Sequence, residues 1–177
     1  MNIVLIGYRG AGKSRVGKLV AAELGMTLRC TDEEIVRRIG CSIPSFVKKH
    51  GWDAFRDVET EVIRSMPPCD ATVIDTGGGA VLRPENVAVL KACGPVFWLQ
   101  ASVDKIVARI QTDANRPSLT GSKSFTEEVA EVLADRLPIY GAAADRAIDT
   151  DDKTPEEVAA SIIHYATGKN CGRIVAT

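Results

Sequence analysis

The sequence predicts an α/β protein built on a parallel sheet, with helices covering both faces. Three observations carry that reading. Short apolar runs rich in β-branched or aromatic residues recur at 2–6, 72–75 and 96–99, and shorter strand-like segments lie at 28–30 and 147–149. Stretches with helix-period apolar residues separate them, and strands that alternate with helices make parallel sheets covered on both sides. The first strand–turn–helix unit carries Gly7-Tyr8-Arg9-Gly10-Ala11-Gly12-Lys13-Ser14, which matches G-x-x-x-x-G-K-[ST] at every fixed position.

In chain order, the Asn2–Ile6 strand breaks at Gly7, and a helix follows with Val16, Leu19, Val20 and Leu24 on one face, closed by Gly25. This context turns the motif into a polyphosphate site. Glycines let successive N–H groups turn inward, and the helix N-terminus adds partial positive charge. Lys13 would reach the β- and γ-phosphates and Ser14 would offer its hydroxyl to Mg²⁺, so the chain reads as a nucleoside-triphosphate binder. Leu28–Cys30 is the second strand. Thr31 opens a helix, with Glu34 placed to complete a capping box, and Ile35, Val36 and Ile39 lead to a stop at Gly40. Ser42 and Pro44 start a further helical stretch that stops near Gly51. Trp52, Phe55, Val58, Val62, Ile63 and Met66 then form a stripe ended by Pro67-Pro68.

Thr72-Val73-Ile74-Asp75 has the form of a strand delivering a metal-binding aspartate, and it opens into Thr76-Gly77-Gly78-Gly79. Pro84–Lys91 is helical, Gly94-Pro95 breaks it, and Val96–Leu99 is the fourth strand. Ser102 caps a helix bearing Val103, Ile106, Val107 and Ile110. The polar stretch 111–124, with Pro117 and Gly121, suits neither periodic element and reads as a mobile lid. A helix from Thr126 carries Val129, Val132 and Leu133 through a bend at Pro138 to Ala144. After the Ala147–Asp149 strand, Thr154-Pro155-Glu156-Glu157 combines an N-cap, Pro at N1 and a capping-box Glu, opening a helix to Ala166. Trp52, Phe55, Phe97 and Trp98 read as core.

The whole chain narrows the function. Its 177 residues suit one domain, and 22 basic against 23 acidic residues leave no footprint for nucleic acid or membrane. Neither a signal peptide nor a membrane span is expected, because the N-terminus enters a strand directly and no apolar run is long enough. Cys30, Cys41, Cys69, Cys93 and Cys171 are odd in number and unpaired in spacing, as expected of reduced thiols in the cytoplasm. His50 and His164 lack partners at ligand spacing. Ligands of such a sheet bind beyond the carboxyl ends of its strands, where Lys13, Cys30, Asp32, Asp75 and Gly77–Gly79 should converge.

Beyond the phosphate loop, five further features resemble the shikimate kinase family, over nearly the whole chain. They are Thr31-Asp32, Phe55-Arg56 with Glu59, Gly77-Gly78-Gly79-Ala80, Asn115-Arg116-Pro117-Ser118-Leu119, and Arg136-Leu137-Pro138-Ile139-Tyr140. The resemblance implies a three-layer P-loop kinase fold with a five-stranded parallel sheet, a substrate-binding helical segment at about 31–65 and the lid. It implies ATP- and Mg²⁺-dependent phosphorylation of the 3-hydroxyl of shikimate, on the way to the aromatic amino acids; the chain is expected to work as a cytoplasmic monomer without nucleic-acid or membrane partners. Carried over by position, Lys13, Asp32 and Arg116 are the catalytic set, with Asp32 holding the attacking hydroxyl and Arg116 folding over the phosphoryl group. Arg56 and Arg136 clamp the carboxylate, and Gly78 and Gly79 present N–H groups to the substrate. ATP falls to Gly10, Ala11, Gly12, Lys13, Ser14, Arg15 and Arg116, with Arg109 and Pro155 flanking the adenine.

Each role has a plainer alternative. Asp32 could serve only the helix dipole, Arg56 could pair locally with Glu59, and Arg136 could pair with Glu131 or Asp135. Ser118 departs from the family's R-P-L-L lid. So does Cys30, which stands where most of the family has an acid supporting the metal, and a thiol is a poor ligand for hard Mg²⁺. Asp75, with Ser14, is the candidate to supply that carboxylate; otherwise it merely caps a turn. Two other functions stay open: a P-loop kinase acting on a sugar acid or a nucleotide, and a nucleotide-binding relative that has lost catalysis.

Overall fold

The computed structural model describes residues 1–66, 71–111 and 125–168. Its centre is β1 (Ile3–Ile6), whose four side chains are all buried. Because successive side chains alternate faces, Val4 and Ile6 join one apolar cluster while Ile3 and Leu5 join the other. β3 (Thr72–Asp75) and β4 (Val96–Gln100) pair with β1 on either side. β2 (Thr27–Cys30) and β5 (Arg146–Asp149) complete the sheet in the order β2-β3-β1-β4-β5. Every pairing is parallel, and the two edge strands are the more exposed ones. This is the five-stranded parallel sheet expected from the sequence.

Helices α1 (Lys13–Leu24) and α7 (Pro155–Thr167) cover one face through Val16, Val20, Val158, Ile162 and Ile163. The other face is covered by α2 (Thr31–Ile39), α3 (Ile43–Arg64), α4 (Pro84–Cys93), α5 (Val103–Gln111) and α6 (Phe125–Ala143). The expected α7 cap forms in full: Thr154 accepts from the Glu157 N–H, and the Glu157 carboxylate accepts from the Thr154 N–H. Ser102 likewise accepts from the Lys105 N–H ahead of α5. Among the described residues no helix is long and apolar enough to cross a membrane.

Two local expectations, the Thr31 capping box and Trp52 as core, are corrected. Thr31 forms no capping box: its buried hydroxyl accepts from the Gly77 N–H at 2.8 Å, and Cys30 is the N-cap without a side-chain bond. The loop after β3 needed a partner for that buried N–H, and this outweighed the cap. The expected stop near Gly51 is present: the two helical stretches of α3 meet at a kink where Gly51 takes φ 83° and ψ 171°. Trp52, read as core, is 46 % exposed. The lid call, with Arg116 and Ser118, and the Pro67-Pro68 stop lie outside the described residues.

Candidate functional site

The turn after β1 leads into α1 at Lys13, whose N-cap, Gly12, has φ 95° and no side-chain cap. The first-turn N–H donors of α1 are therefore not taken by a capping side chain, and the turn itself contains no acidic residue. Lys13 is 8 % exposed, and its ammonium donates to the carbonyls of Gly7 at 2.8 Å and Tyr8 at 3.1 Å. The loop's own backbone thus fixes the direction of the lysine stem.

Around this turn lies a cleft lined by Arg9, Gly10, Gly12, Lys13, Ser14, Arg15, Cys30, Asp32, Asp75, Thr76, Gly78 and Arg109. β2 and β3 pair so that Cys30 stands opposite Asp75, at the carboxyl ends of neighbouring strands. Ser14 donates its hydroxyl to Asp75 Oδ2 at 2.6 Å. Burial pushes the Asp75 carboxyl above its ordinary value, against the opposing pull of Lys13 and the Ser14 hydroxyl. Burial likewise raises the Cys30 thiol, with the Asp75 and Asp32 charges adding to it. Arg109, on α5, reaches back to the Gly10 carbonyl at 3.2 Å and to Thr150. Arg15 lies 4.0 Å from Glu156, next to Pro155 at the start of α7.

A second pocket adjoins the first, lined by Trp52, Asp53, Arg56, Leu82, Arg83, Val132 and Arg136. The kink at Gly51 gives the second half of α3 its own direction, and this half carries Phe55 into the core and Arg56 to the pocket. Arg56 donates to Glu59 at 2.5 Å, and its guanidinium sits 5.4 Å from the Trp52 ring centroid and 5.0 Å from that of Phe55. The local Arg56–Glu59 pair therefore exists, but in a setting unlike a solvated helix face: the two side chains are 14 % and 1 % exposed. Burial raises the Glu59 carboxyl, with Arg56 opposing. From α6, Arg136 reaches the Gly78 carbonyl at 3.3 Å rather than an exposed acid on its own helix.

The glycine loop lies between the two pockets and is packed from both sides. A Cβ on Gly77 would run into the Asp32 carboxylate, and one on Gly79 would overlap the Arg56 guanidinium. A side chain at either position would displace the Asp32 carboxylate or the Arg56 guanidinium, so glycine lets these charged groups from two helices lie against the backbone. The cleft thus offers phosphate-binding backbone and cations on one side. On the other it offers two arginines suited to a carboxylate, with Asp32 at the junction.

The family model described as shikimate kinase matches residues 9–167. The chain belongs to the shikimate kinase family. A shikimate kinase of Thermodesulfovibrio yellowstonii is 46 % identical over 162 residues, which span 92 % of each chain. That of Nitratidesulfovibrio vulgaris is 42 % identical over 153 residues, 85 % of this chain and 87 % of its own. The solved shikimate kinase from Acinetobacter baumannii in complex with shikimate is 34 % identical with a TM-score of 0.86, over 93 % of this chain and 91 % of that one. Membership in the shikimate kinase family makes the chain a phosphotransferase with ATP as co-substrate.

Set against the family pattern, the chain brings Gly10, Gly12, Lys13, Ser14, Arg15, Asp32, Asp75, Gly78 and Arg109 to one cleft. Arg56 and Arg136 meet in the adjoining pocket. Ala11 is buried within the phosphate loop, where its N–H donates to the Tyr8 carbonyl at 3.2 Å. Arg9, Thr76, Asp53, Leu82, Arg83 and Val132 are lining residues that sequence reasoning missed. Thr76 had a signal, since it directly follows the aspartate of β3. Arg83 had none, because only the fold brings it to α3, where it pairs with Asp57 at 2.8 Å.

Proposed function

We propose that the chain transfers the γ-phosphoryl group of ATP to the 3-hydroxyl of shikimate, giving shikimate 3-phosphate and ADP on the route to the aromatic amino acids. The observation that carries this reading is the meeting of Arg56 and Arg136 in one pocket beside the phosphate cleft. Two guanidinium groups at that position suit an acceptor that bears a carboxylate.

In this reading Lys13 and the N–H groups of Gly10 and Gly12 hold the phosphates, with Ala11 between them shaping the loop, while Arg15, Arg109 and Pro155 flank the rest of the nucleotide. Arg56 and Arg136 fix the carboxylate, and Gly78 and Gly79 offer N–H donors to the ring substituents. Asp32 orients the 3-hydroxyl and accepts its proton as the new O–P bond forms and the bond between the γ-phosphorus and its bridging oxygen breaks. Arg116 would neutralise charge on the moving phosphoryl group from a lid at 111–124, and the segment at 31–65 would bind the substrate, all within one domain. Most of the catalysis is then positioning and charge stabilisation in a site shut from water.

The donor set fits Mg²⁺. Ser14 and Asp75 place two hard oxygens 2.6 Å apart. Among the described residues no group of three or more His, Cys, Asp or Glu could hold a metal ion. One protein carboxylate with a neighbouring hydroxyl suits a cation held mainly by substrate phosphates. When bound, Mg²⁺ would neutralise charge on the β- and γ-oxygens. Cys30 beside Asp75 is a thiol pushed toward its protonated form, which leaves Asp75 as the strand-end carboxylate for this role.

The proposal includes a monomer working in the cytoplasm on small molecules alone, supported by the near-zero net charge and the free thiols of Cys30 and Cys41. The test is ADP release with shikimate, gluconate and nucleoside monophosphates as acceptors. Turnover is expected with shikimate alone, and preference for another acceptor would overturn the reading.

A further inference from the structure

The Gly78 carbonyl receives two hydrogen bonds from α6. Tyr140 donates its hydroxyl at 2.5 Å, and Arg136 donates at 3.3 Å. The two residues are four apart and share a helix face, so one turn of α6 holds the glycine loop at a single atom. The phenol is well placed to be the permanent partner. Tyr140 is 1 % exposed, and its ring stacks on Trp98 with centroids 5.6 Å apart and planes at 23°. Burial pushes its pKa up to about 12, so it stays a donor throughout the working range of the enzyme.

Arg136 has a competing task. Its guanidinium lines the acceptor pocket and lies 5.7 Å from the Tyr8 ring centroid. If Arg136 were the sole partner of Gly78, a carboxylate that recruited its N–H groups would leave a loop carbonyl unpaired. That cost would be subtracted from substrate binding. The loop also has little room to adjust, because a Cβ on Gly78 would sit 3.1 Å from the Arg9 backbone nitrogen and one on Gly79 would overlap Arg56.

We propose that Tyr140 is a positioning residue for the acceptor: its hydroxyl pins the Gly78 carbonyl, which frees Arg136 for the substrate carboxylate and keeps the Gly78 and Gly79 N–H groups facing the acceptor. The inference rests on shikimate as the acceptor. Tyr140 itself touches no reacting atom; it acts through Gly78 and Arg136.

The test is Tyr140→Phe, which keeps the ring and its stacking on Trp98 and removes only the donor. The KM for shikimate should rise about five- to tenfold, as for the loss of one hydrogen bond, with kcat and nucleotide affinity within about twofold of the parent. Amide exchange at 77–79 should quicken while α1 and α7 exchange as before. A variant with a lower Tm but the parental KM and parental exchange in the loop would make Tyr140 a purely structural residue and overturn the proposal, leaving the acceptor reading intact. A parent protein that does not phosphorylate shikimate would instead overturn the acceptor reading, and this inference with it.

Discussion

At the scale of the residue, the cleft concentrates groups that the folded chain would be more stable without. Asp75 is 2 % exposed and its carboxyl is raised above the ordinary value chiefly by burial. A carboxyl whose folded pKa lies above its unfolded one binds more protons in the native state. Its contribution to stability is full below the unfolded pKa and is lost as pH rises through the folded value. Asp75→Asn keeps an acceptor for the Ser14 hydroxyl and removes the charge, so it should melt higher than the parent at neutral pH. For a chain of this size each kcal/mol regained is worth about 2–4 °C. The gap should be wide at pH 7–8 and shrink as pH falls toward 4. The same substitution should raise the Mg²⁺ concentration needed for half-maximal rate, and Cys30→Asp in that background should recover part of the loss. A parent that melts above the variant at pH 8, or an unmoved Mg²⁺ dependence, would show that Asp75 is a turn residue with no part in metal binding.

Elements fix where these residues point, and α3 does so through its break. Gly51 has φ 83° with ψ 171°, and no atom lies within 4 Å of a Cβ built there. Space is therefore not the constraint; backbone strain is, since side-chain-bearing residues rarely adopt that conformation. Gly51→Ala should cost about 1–3 kcal/mol, read as a lower urea midpoint, and should raise the KM for shikimate because the half-helix after the break carries Arg56. Equal stability of variant and parent would mean that the kink is not set by Gly51. The break illustrates which parts of the fold the sequence discloses. Periodicity located the strands and helices because apolar side chains on one face have a single use. Local caps such as Thr154–Glu157 were legible because all their partners lie within one turn. Thr31 was misread because its partner, Gly77, is 46 positions away, a relation that no local pattern carries. Trp52 was misread for a related reason. It follows the break, so the stripe that places Phe55 in the core leaves Trp52 at the mouth of the second pocket. Lys13, Ser14 and the glycines could be read because their spacing encodes their chemistry. The roles of Arg83 and Tyr140 were hidden because distant segments supply what they touch.

At the scale of the whole molecule, the strand order β2-β3-β1-β4-β5 explains why donor and acceptor sites share one edge. The chain builds outward from β1 through β2 and back to β3, then crosses to the other side for β4 and β5. The strand order therefore reverses at β1, and the loops after β1 and β3 face one crevice at the carboxyl end of the sheet. The phosphate loop comes from the first and the glycine loop from the second, and they pack so closely that a Cβ on Gly78 would sit 3.1 Å from the Arg9 backbone nitrogen. A ligand in that crevice bridges segments that are far apart in sequence, so it should stabilise the whole fold. A non-hydrolysable ATP analogue with Mg²⁺ at a hundred times its Kd contributes about 2.7 kcal/mol, which corresponds to a rise in Tm of about 5–10 °C for a chain of this length. Lys13→Ala should remove most of that rise and abolish turnover, because the ammonium supplies charge to the β- and γ-oxygens. The shift produced by shikimate should instead be lost in Arg136→Ala and retained in Lys13→Ala. A Lys13→Ala protein that keeps the full nucleotide shift and near-parental kcat would place the nucleotide elsewhere on the sheet edge.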